Sequence, residues 1–303
     1  MSGETNPVEA RQDRPKLTLF TIPKGFQGRT DCIQQNAIRS WLQFGNNVEV
    51  ILFGDDPGVQ PVARELGVRH CPVIQRNRFG TPLLSDVFRS VHHLASAETV
   101  MYCNSDVILL DDFFQLVTQL QQLQLPRFLG IGRRIDLKIT EPIDFADLDQ
   151  VRRLKIKSQQ EGTVSSIVCK EFFVFPKGIF ETIPEFAVGR GNWDNWMVRN
   201  AKQRKIPVVS LSPQAWAIHQ AHDYSHLNSA AGSRQRWHCY VSGDEAKVNQ
   251  QLAGGQHLIS GSTADWKLES GKLRKHRLGG LNLDFWLDLP RFARLVGNLI
   301  KTG

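Results

Sequence analysis

Short apolar runs and helix-period apolar stripes alternate from residue 16 to residue 131. Residues 17–22 read as a buried strand that stops at Pro23-Lys24-Gly25. Thr30 then caps a predicted helix whose Ile33, Ala37, Ile38, Trp41 and Leu42 share one face, and Gly45 ends it. Residues 48–53 form a second apolar run, closed by the turn-rich Gly54-Asp55-Asp56-Pro57-Gly58, with a short helix over residues 62–66 and a short strand over 68–70. Thr81 as cap and Pro82 in the first helical position predict a helix that turns Leu84, Val87, Phe88, Val91 and Leu94 inward. Residues 99–103 are the next strand, Asp111 or Asp112 caps a helix burying Phe113, Leu116, Val117, Leu120 and Leu123, and residues 128–131 return as strand. This alternation predicts an α/β domain, a mainly parallel twisted sheet flanked by helices, with its ligand site at the strands' carboxyl ends.

Residues 133–168 change character: they are charged, with a short helical pattern around 148–154, and read as an insertion or mobile loop. Residues 172–175 resume strand character, 193–201 read as a helix, and 208–210 and 215–219 as two further strands. The expected organisation is a loose lead-in over 1–15, a catalytic domain over 16–254 and a basic extension over 255–303, whose amphipathic stretch 283–300 suits docking on the domain or peripheral contact with a membrane surface.

Composition narrows the classes. With 41% apolar and 22% charged residues the 303-residue chain can bury a core, so wholesale disorder is excluded. No apolar run approaches the roughly 18 residues of a spanning helix, and no secretory signal is visible. The five cysteines are scattered and never spaced C-x-x-C, which argues against a disulfide framework or a cysteine zinc site and for a reducing, cytoplasmic setting. The net charge of +7 favours anionic partners. No nucleic-acid fingerprint or aromatic-interleaved basic stripe is present, so nucleic acid is not the expected partner, and the basic run 267–277 reads as a solvated tail segment.

Four segments carry candidate chemistry. Asn104-Ser105-Asp106 interrupts an apolar frame, and in extended chain Asn104 and Asp106 point the same way, an amide and a carboxylate suited to Mg²⁺ or Mn²⁺ or to an ordinary strand-to-helix turn. Asp194 stands between Trp193 and Trp196 at a helix start, placed for proton transfer or simply for the helix dipole. His219, His222 and His226 cluster around Asp223; a helical H-x-x-x-H zinc site is the rival reading there, weakened by the strand character before it. Arg76, Gly80 and Thr81 precede a helix start and suit an anionic group or an exposed basic loop.

Taken in order, Y-C-N-S-D-V-I-L, F-F-V-F-P-K-G, G-R-G-N-W-D-N-W-M-V and A-I-H-Q-A-H-D-Y-S-H-L resemble the GT-A class of nucleotide-sugar-dependent glycosyltransferases, and more narrowly a group of predicted bacterial and algal members. The resemblance spans about residues 17–254 and implies a hexosyltransferase-type enzyme with a GT-A-like fold, a nucleotide-sugar donor, a divalent metal and a glycan, lipid-linked or small-molecule acceptor. It implies that Asn104-Ser105-Asp106 stands at the family's metal and diphosphate-binding D-x-D motif, with Asn in place of the leading Asp and Asp106 therefore the main ligand. Pro23, Lys24, Phe26, Arg76, Gly80 and Thr81 fall where the nucleotide is held, His219 or His222 at a late metal or diphosphate contact, and Asp194 at the base of inverting members. Lys170-Glu171 stands where relatives are expected to carry Ser-Asp, which makes Glu171 a second catalytic candidate. A non-catalytic nucleotide-sugar or polysaccharide-binding protein and a sugar-phosphate nucleotidyltransferase are the alternatives.

Overall fold

The computed structural model describes residues 16–165, 169–212, 217–221, 243–255 and 263–276. Its elements in chain order are β1 (Leu17–Thr21), α1 (Gly28–Leu42), β2 (Val48–Phe53), α2 (Val59–Glu65), β3 (Arg69–Cys71), α3 (Leu84–Leu94), β4 (Thr99–Cys103), β5 (Val107–Ile108), α4 (Asp111–Gln122) and β6 (Leu129–Ile131). There follow β7 (Arg134–Leu137), α5 (Leu148–Glu161), β8 (Thr163–Val164), β9 (Phe172–Pro176), α6 (Trp193–Gln203), β10 (Val208–Ser210), β11 (Ala217–Gln220), α7 (Asp244–Leu252), β12 (Trp266–Glu269) and β13 (Lys272–Lys275).

Nine strands form the main sheet in the order β13-β12-β10-β6-β9-β4-β1-β2-β3. The expected mainly parallel, helix-flanked α/β architecture is what the chain adopts. Two strands run against the rest: β13 at the edge, and β9, antiparallel to both β4 and β6. Side chains alternate across the sheet with the period of two that a pleat imposes. Leu17 and Leu19 of β1 face the layer containing Ala37, Trp41, Phe113 and Leu116, whereas Phe20 faces Leu84, Phe88, Trp193 and Met197. α3 buries Leu84, Val87, Phe88 and Val91, an i, i+3, i+4, i+7 stripe. Phe88 stacks against Tyr102 and Phe175 at 5.9 and 5.7 Å, and burial of such a ring contributes about 1.5–3 kcal/mol.

A second sheet, β5-β11-β7-β8, sits at the carboxyl edge. α1 fixes its first strand: buried Trp41 donates from Nε1 to the Val107 carbonyl at 2.9 Å, and Ser40 Oγ accepts from Leu109 N at 3.0 Å. Much of the segment expected to be an insertion or mobile loop supplies the other two strands, β7 and β8, together with α5. Leu137, Ile139, Phe145 and Leu154 bury against Ile108 and Ile218 there, which is why those residues hold a sheet. α5 begins at an Asp147 cap, whose carboxylate accepts from the amides of Asp149 and Gln150 at 2.9 and 3.1 Å.

Other expectations are corrected as well. Residues 267–275 of the basic run are not a solvated tail: β12 pairs in parallel with β10, β13 returns antiparallel, and Leu268 is fully buried. Lysine and arginine on that edge blunt an otherwise open ladder. Thr81 does not cap α3. Asn77 Oδ1 accepts from the Phe79 and Thr81 amides, Pro82 bridges to Arg76, and the helix starts only at Leu84, whose amide bonds to Phe186 O at 2.9 Å. Thr30 lies inside α1, whose cap position is Gln27, and Asp111 and Asp112 fall in the first turn of α4 after Leu110, where their charge favours the helix dipole instead. None of the described helices is long and apolar enough to cross a membrane. The amphipathic stretch 283–300 lies outside the described residues.

Candidate active site

The antiparallel course of β9 builds the site. Because Cys103 pairs with Phe172, the residues just before β9, Lys170 and Glu171, arrive at the same edge as the residues just after β4. Asn104 is bonded there through its amide to the Glu171 carbonyl at 3.1 Å, so its backbone belongs to the main sheet. Two residues later the Asp106 carbonyl accepts from the Gln220 amide of β11 at 3.1 Å, so its backbone belongs to the small sheet. Asn104-Ser105-Asp106 is therefore the step from one sheet to the other.

The side chains around that step form a closed ring. Asp106 Oδ2 stands 3.5 Å from His219 Nε2. His219 Nδ1 is 2.7 Å from Asp136 Oδ1, and that oxygen is 2.8 Å from Arg134 Nε. Arg134 Nη1 reaches Glu171 Oε1, and Glu171 Oε2 accepts from Asn104 Nδ2 at 2.5 Å. His219 and Glu171 are 4% and 6% exposed, so these charges interact with little screening by water. Burial pulls the His219 pKa down, but Asp106, Asp136 and Glu171 outweigh it and push it up to about 10, so the His219 imidazole is cationic at neutral pH. Burial likewise raises the Glu171 carboxyl, and Arg134 and His219 oppose that only in part. Asp136 goes the other way: burial raises it, but His219 and Arg134 together hold it below the usual carboxylate range.

The loop after β1 joins the ring through α1. Gln34 Oε1 accepts from Lys24 N at 2.7 Å and from Ser105 Oγ at 2.9 Å, while its Nε2 donates to Lys24 O. Phe26 N bonds Pro57 O at 2.8 Å, and a Cβ on Gly58 (φ +87°) would stand 2.9 Å from Phe26 Cβ, so only glycine lets the two loops touch. Lys24 is open to solvent at its surface yet walled by protein. Burial lowers its pKa, with Asp106 raising it and Arg190 lowering it, so the three charges act on one another. Pro23 is buried beneath this loop. Arg76 is engaged locally, with Asp55 at 2.7 Å, Asp56 at 3.5 Å and the Gly80 carbonyl at 2.9 Å. Thr81 joins Asn77 and Arg190 around Glu245 of α7; burial raises that carboxyl, and its three partners bring it below the usual range.

Asp194 lies in the first turn of α6. Trp193 anchors that turn, packing against Tyr102 and Phe173 with ring centroids 5.2 and 5.1 Å apart, and Trp196 packs on Phe186 at 5.4 Å. The preceding Asn192 takes a left-handed conformation (φ +79°), which asparagine tolerates. Burial raises the Asp194 pKa, and the Lys170 ammonium opposes it. Lys170, 5% exposed, donates to Asn195 Oδ1 at 2.9 Å. The Cys169 thiol, raised chiefly by burial, feels Arg134, Glu171 and Asp194, so the base candidate and the ring share one neighbourhood.

The structure thus brings Asn104, Ser105, Asp106, Glu171, His219 and Lys24 together, with Asp194 nearby and Arg76, Gly80 and Thr81 on the adjoining loop. His222, Asp223 and His226 lie outside the described residues. Arg134 and Asp136, which hold His219 and Glu171, are not among the residues singled out in the sequence. The period-two alternation of Arg134-Ile135-Asp136-Leu137 is the signal that marks them.

Among the described residues no group of three His, Cys, Asp or Glu side chains is arranged to hold a metal. Two donors converge, the Asp106 carboxylate and His219 Nε2, with Asp136 behind the ring as an orienting carboxylate. That pair fits a cation that takes its remaining ligands from water and substrate oxygens, once His219 has lost its proton. Asn104 turns its amide nitrogen to Glu171.

No protein family matches the chain, and no curated protein is similar to it in sequence. Similar solved structures include Mycobacterium tuberculosis glucosyl-3-phosphoglycerate synthase (14% identity, 84% of this chain and 85% of that one, TM-score 0.44). Residues 1–349 of Staphylococcus aureus TarS align at 10% identity over 78% of this chain and 71% of that one, with TM-score 0.44. The mannosyltransferase PcManGT of Pyrobaculum calidifontis, in complex with GDP-Man and Mn²⁺, aligns at 13% identity over 80% and 73%, with TM-score 0.44.

Proposed function

We propose that this protein is a hexosyltransferase-type glycosyltransferase that moves a sugar from a nucleotide-sugar donor to a hydroxyl acceptor with the help of Mn²⁺ or Mg²⁺. The observation that supports it most is the meeting of Asp106 and His219 at the carboxyl edge, with the cations Lys24 and Arg190 acting on the same charges and a half-buried carboxylate, Asp194, beside them. Such an arrangement of charges suits a nucleoside diphosphate as leaving group. Asp106 and His219 would hold the divalent ion, which when bound supplies charge for the departing diphosphate. Lys24 faces the same charge, and a pair of unit charges about 4 Å apart is worth roughly 4 kcal/mol at an effective dielectric near 20. Pro23, Lys24 and Phe26 would seat the nucleotide, with the loop of Arg76, Gly80 and Thr81 closing its side. Asp194, with its proton affinity raised by burial, would take the proton of the attacking hydroxyl.

A nucleotide-sugar-binding protein without turnover is the second reading, favoured by Asn104 in place of a carboxylate and by its commitment to Glu171. A thermal-shift panel of UDP, GDP, CDP, TDP and their sugars, each with Mn²⁺ and with EDTA, tests the first premise. A metal-dependent shift by at least one nucleotide is expected; none at millimolar ligand would refute both readings. Donor hydrolysis in Mn²⁺ then separates enzyme from binder.

A further inference from the structure

We infer that Arg134 is the positioning residue that locks the two sheets into a binding-competent site, an assignment that rests on the reading above. Arg134 begins β7 of the small sheet, and its guanidinium spans the junction, with Nε on Asp136 and Nη1 on Glu171. Those two carboxylates are the direct supports of His219 and Asn104. Asp136 aims His219 at Asp106, and Glu171 takes the Asn104 amide, so one cation sets the orientation of both ends of the Asn104-Ser105-Asp106 step. Its planar fork suits two carboxylates at once; a lysine offers a single point charge and serves one. Arg134 and Glu171 are withdrawn from solvent, with side-chain exposures of 16% and 7%, while Asp136 at the rim is 32% exposed.

The fold does not depend on this contact for its main supports. The small sheet has its own apolar cluster of Ile108, Leu137, Phe145, Leu154 and Ile218, and α1 pins it through Trp41 and Ser40. Loss of Arg134 therefore disorients the site in a folded protein. Glu171, freed of its cation, and Asp136, freed of one of two partners, no longer fix Asn104 and His219.

The test uses the full-length protein as wild type, Arg134→Lys and Arg134→Gln. Binding of UDP, GDP, CDP and TDP is measured calorimetrically with Mn²⁺ and with EDTA, alongside unliganded melting. Wild type should bind at least one nucleotide more tightly with Mn²⁺. Arg134→Gln should lose at least tenfold of that metal-dependent gain while metal-free affinity changes less than threefold, and Arg134→Lys should recover part of it. A structural role would not move the ratio of the two affinities. An unchanged ratio in both variants, with wild type binding normally, overturns the Arg134 assignment alone. Loss of the folded state in both variants also overturns it, by making Arg134 a support of the fold. Absence of metal-dependent binding in wild type removes the nucleotide reading and this assignment together.

Discussion

His219 ties the charge of the site to the stability of the protein, and the link can be read from a pH series. Its folded pKa of about 10 lies above the 6.5 of an unperturbed imidazole, so the folded protein holds the proton more tightly than the unfolded chain. The resulting stabilisation is fully present below pH 6.5 and is lost as pH rises from there through 10. At about 1.36 kcal/mol per tenfold in proton affinity, the rise is worth about 5 kcal/mol at most. Burial takes nearly all the side chain from water, so solvent screening removes little of this. His219→Gln carries no such proton. Urea denaturation of both proteins in EDTA, at half-unit steps from pH 6 to 10, should show a stability gap of several kcal/mol at pH 6 that narrows by about 1.4 kcal/mol per unit above 6.5. Comparing the two proteins cancels the titration of cysteines and lysines common to both. A gap that stays constant across the series would refute the idea that the ring stores a proton on His219.

Asp106→Ala should keep a cooperative melt, since no core cavity opens at a half-exposed loop residue, and should lose metal-dependent stabilisation by nucleoside diphosphate in a thermal-shift assay. Asp194→Asn keeps size but cannot take a proton, so transfer to an accepted hydroxyl should fall about 10²–10⁴-fold. Because burial disfavours the Asp194 carboxylate, the same variant should be no less stable than wild type at pH 7, and a lowered Tm with full activity would mark Asp194 as structural. Gly132→Ala would place a Cβ 2.3 Å from the buried Phe172 ring and 3.1 Å from Ser212 Oγ, at a predicted cost of about 1–3 kcal/mol by urea denaturation.

Most of the main sheet was legible because its strands carry apolar runs and its helices broad stripes, as in β4 or α3; its edge strands β12 and β13, rich in Lys and Arg, were not. The sequence also hid the small sheet. Arg134-Ile135-Asp136-Leu137 shows its alternation over only four residues among charged neighbours, and Val107-Ile108 merges with the apolar run that follows. The helix starts misled for a local reason: at residues 77–84 the side chain of Asn77 and a bridge from Pro82 captured groups that a Thr81-Pro82 start would have used. Asn104 and Asp106 could be picked out as polar residues inside an apolar frame and His219 as one of a histidine cluster, whereas Glu171 stands out only through the family resemblance. Their joining into a ring depends on β9 running against its neighbours, which no local pattern declares.

That ring also fixes how the site should respond to a cation. Counting Asp106, Asp136 and Glu171 as ionised against Arg134 and protonated His219 leaves it one negative charge in excess. Loss of the His219 proton would leave two, which a divalent ion between Asp106 and His219 Nε2 can balance. Proton and metal thus compete for one nitrogen whose proton affinity the three carboxylates have raised. If His219 ligates, Mn²⁺ affinity measured with a saturating nucleoside diphosphate should climb with pH toward the limit of about tenfold per unit between 6.5 and 10, with one proton released per ion bound. Below 6.5 this slope persists for the folded protein, because its own pKa governs the exchange. Proton release can be read by running the titration in two buffers of different ionisation enthalpy. The His219→Gln variant should bind Mn²⁺ without releasing that proton and with little dependence on pH. A flat pH profile in the wild type would mean that Asp106 and the diphosphate hold the ion without His219, and the histidine would then act as a fixed positive charge facing the leaving group.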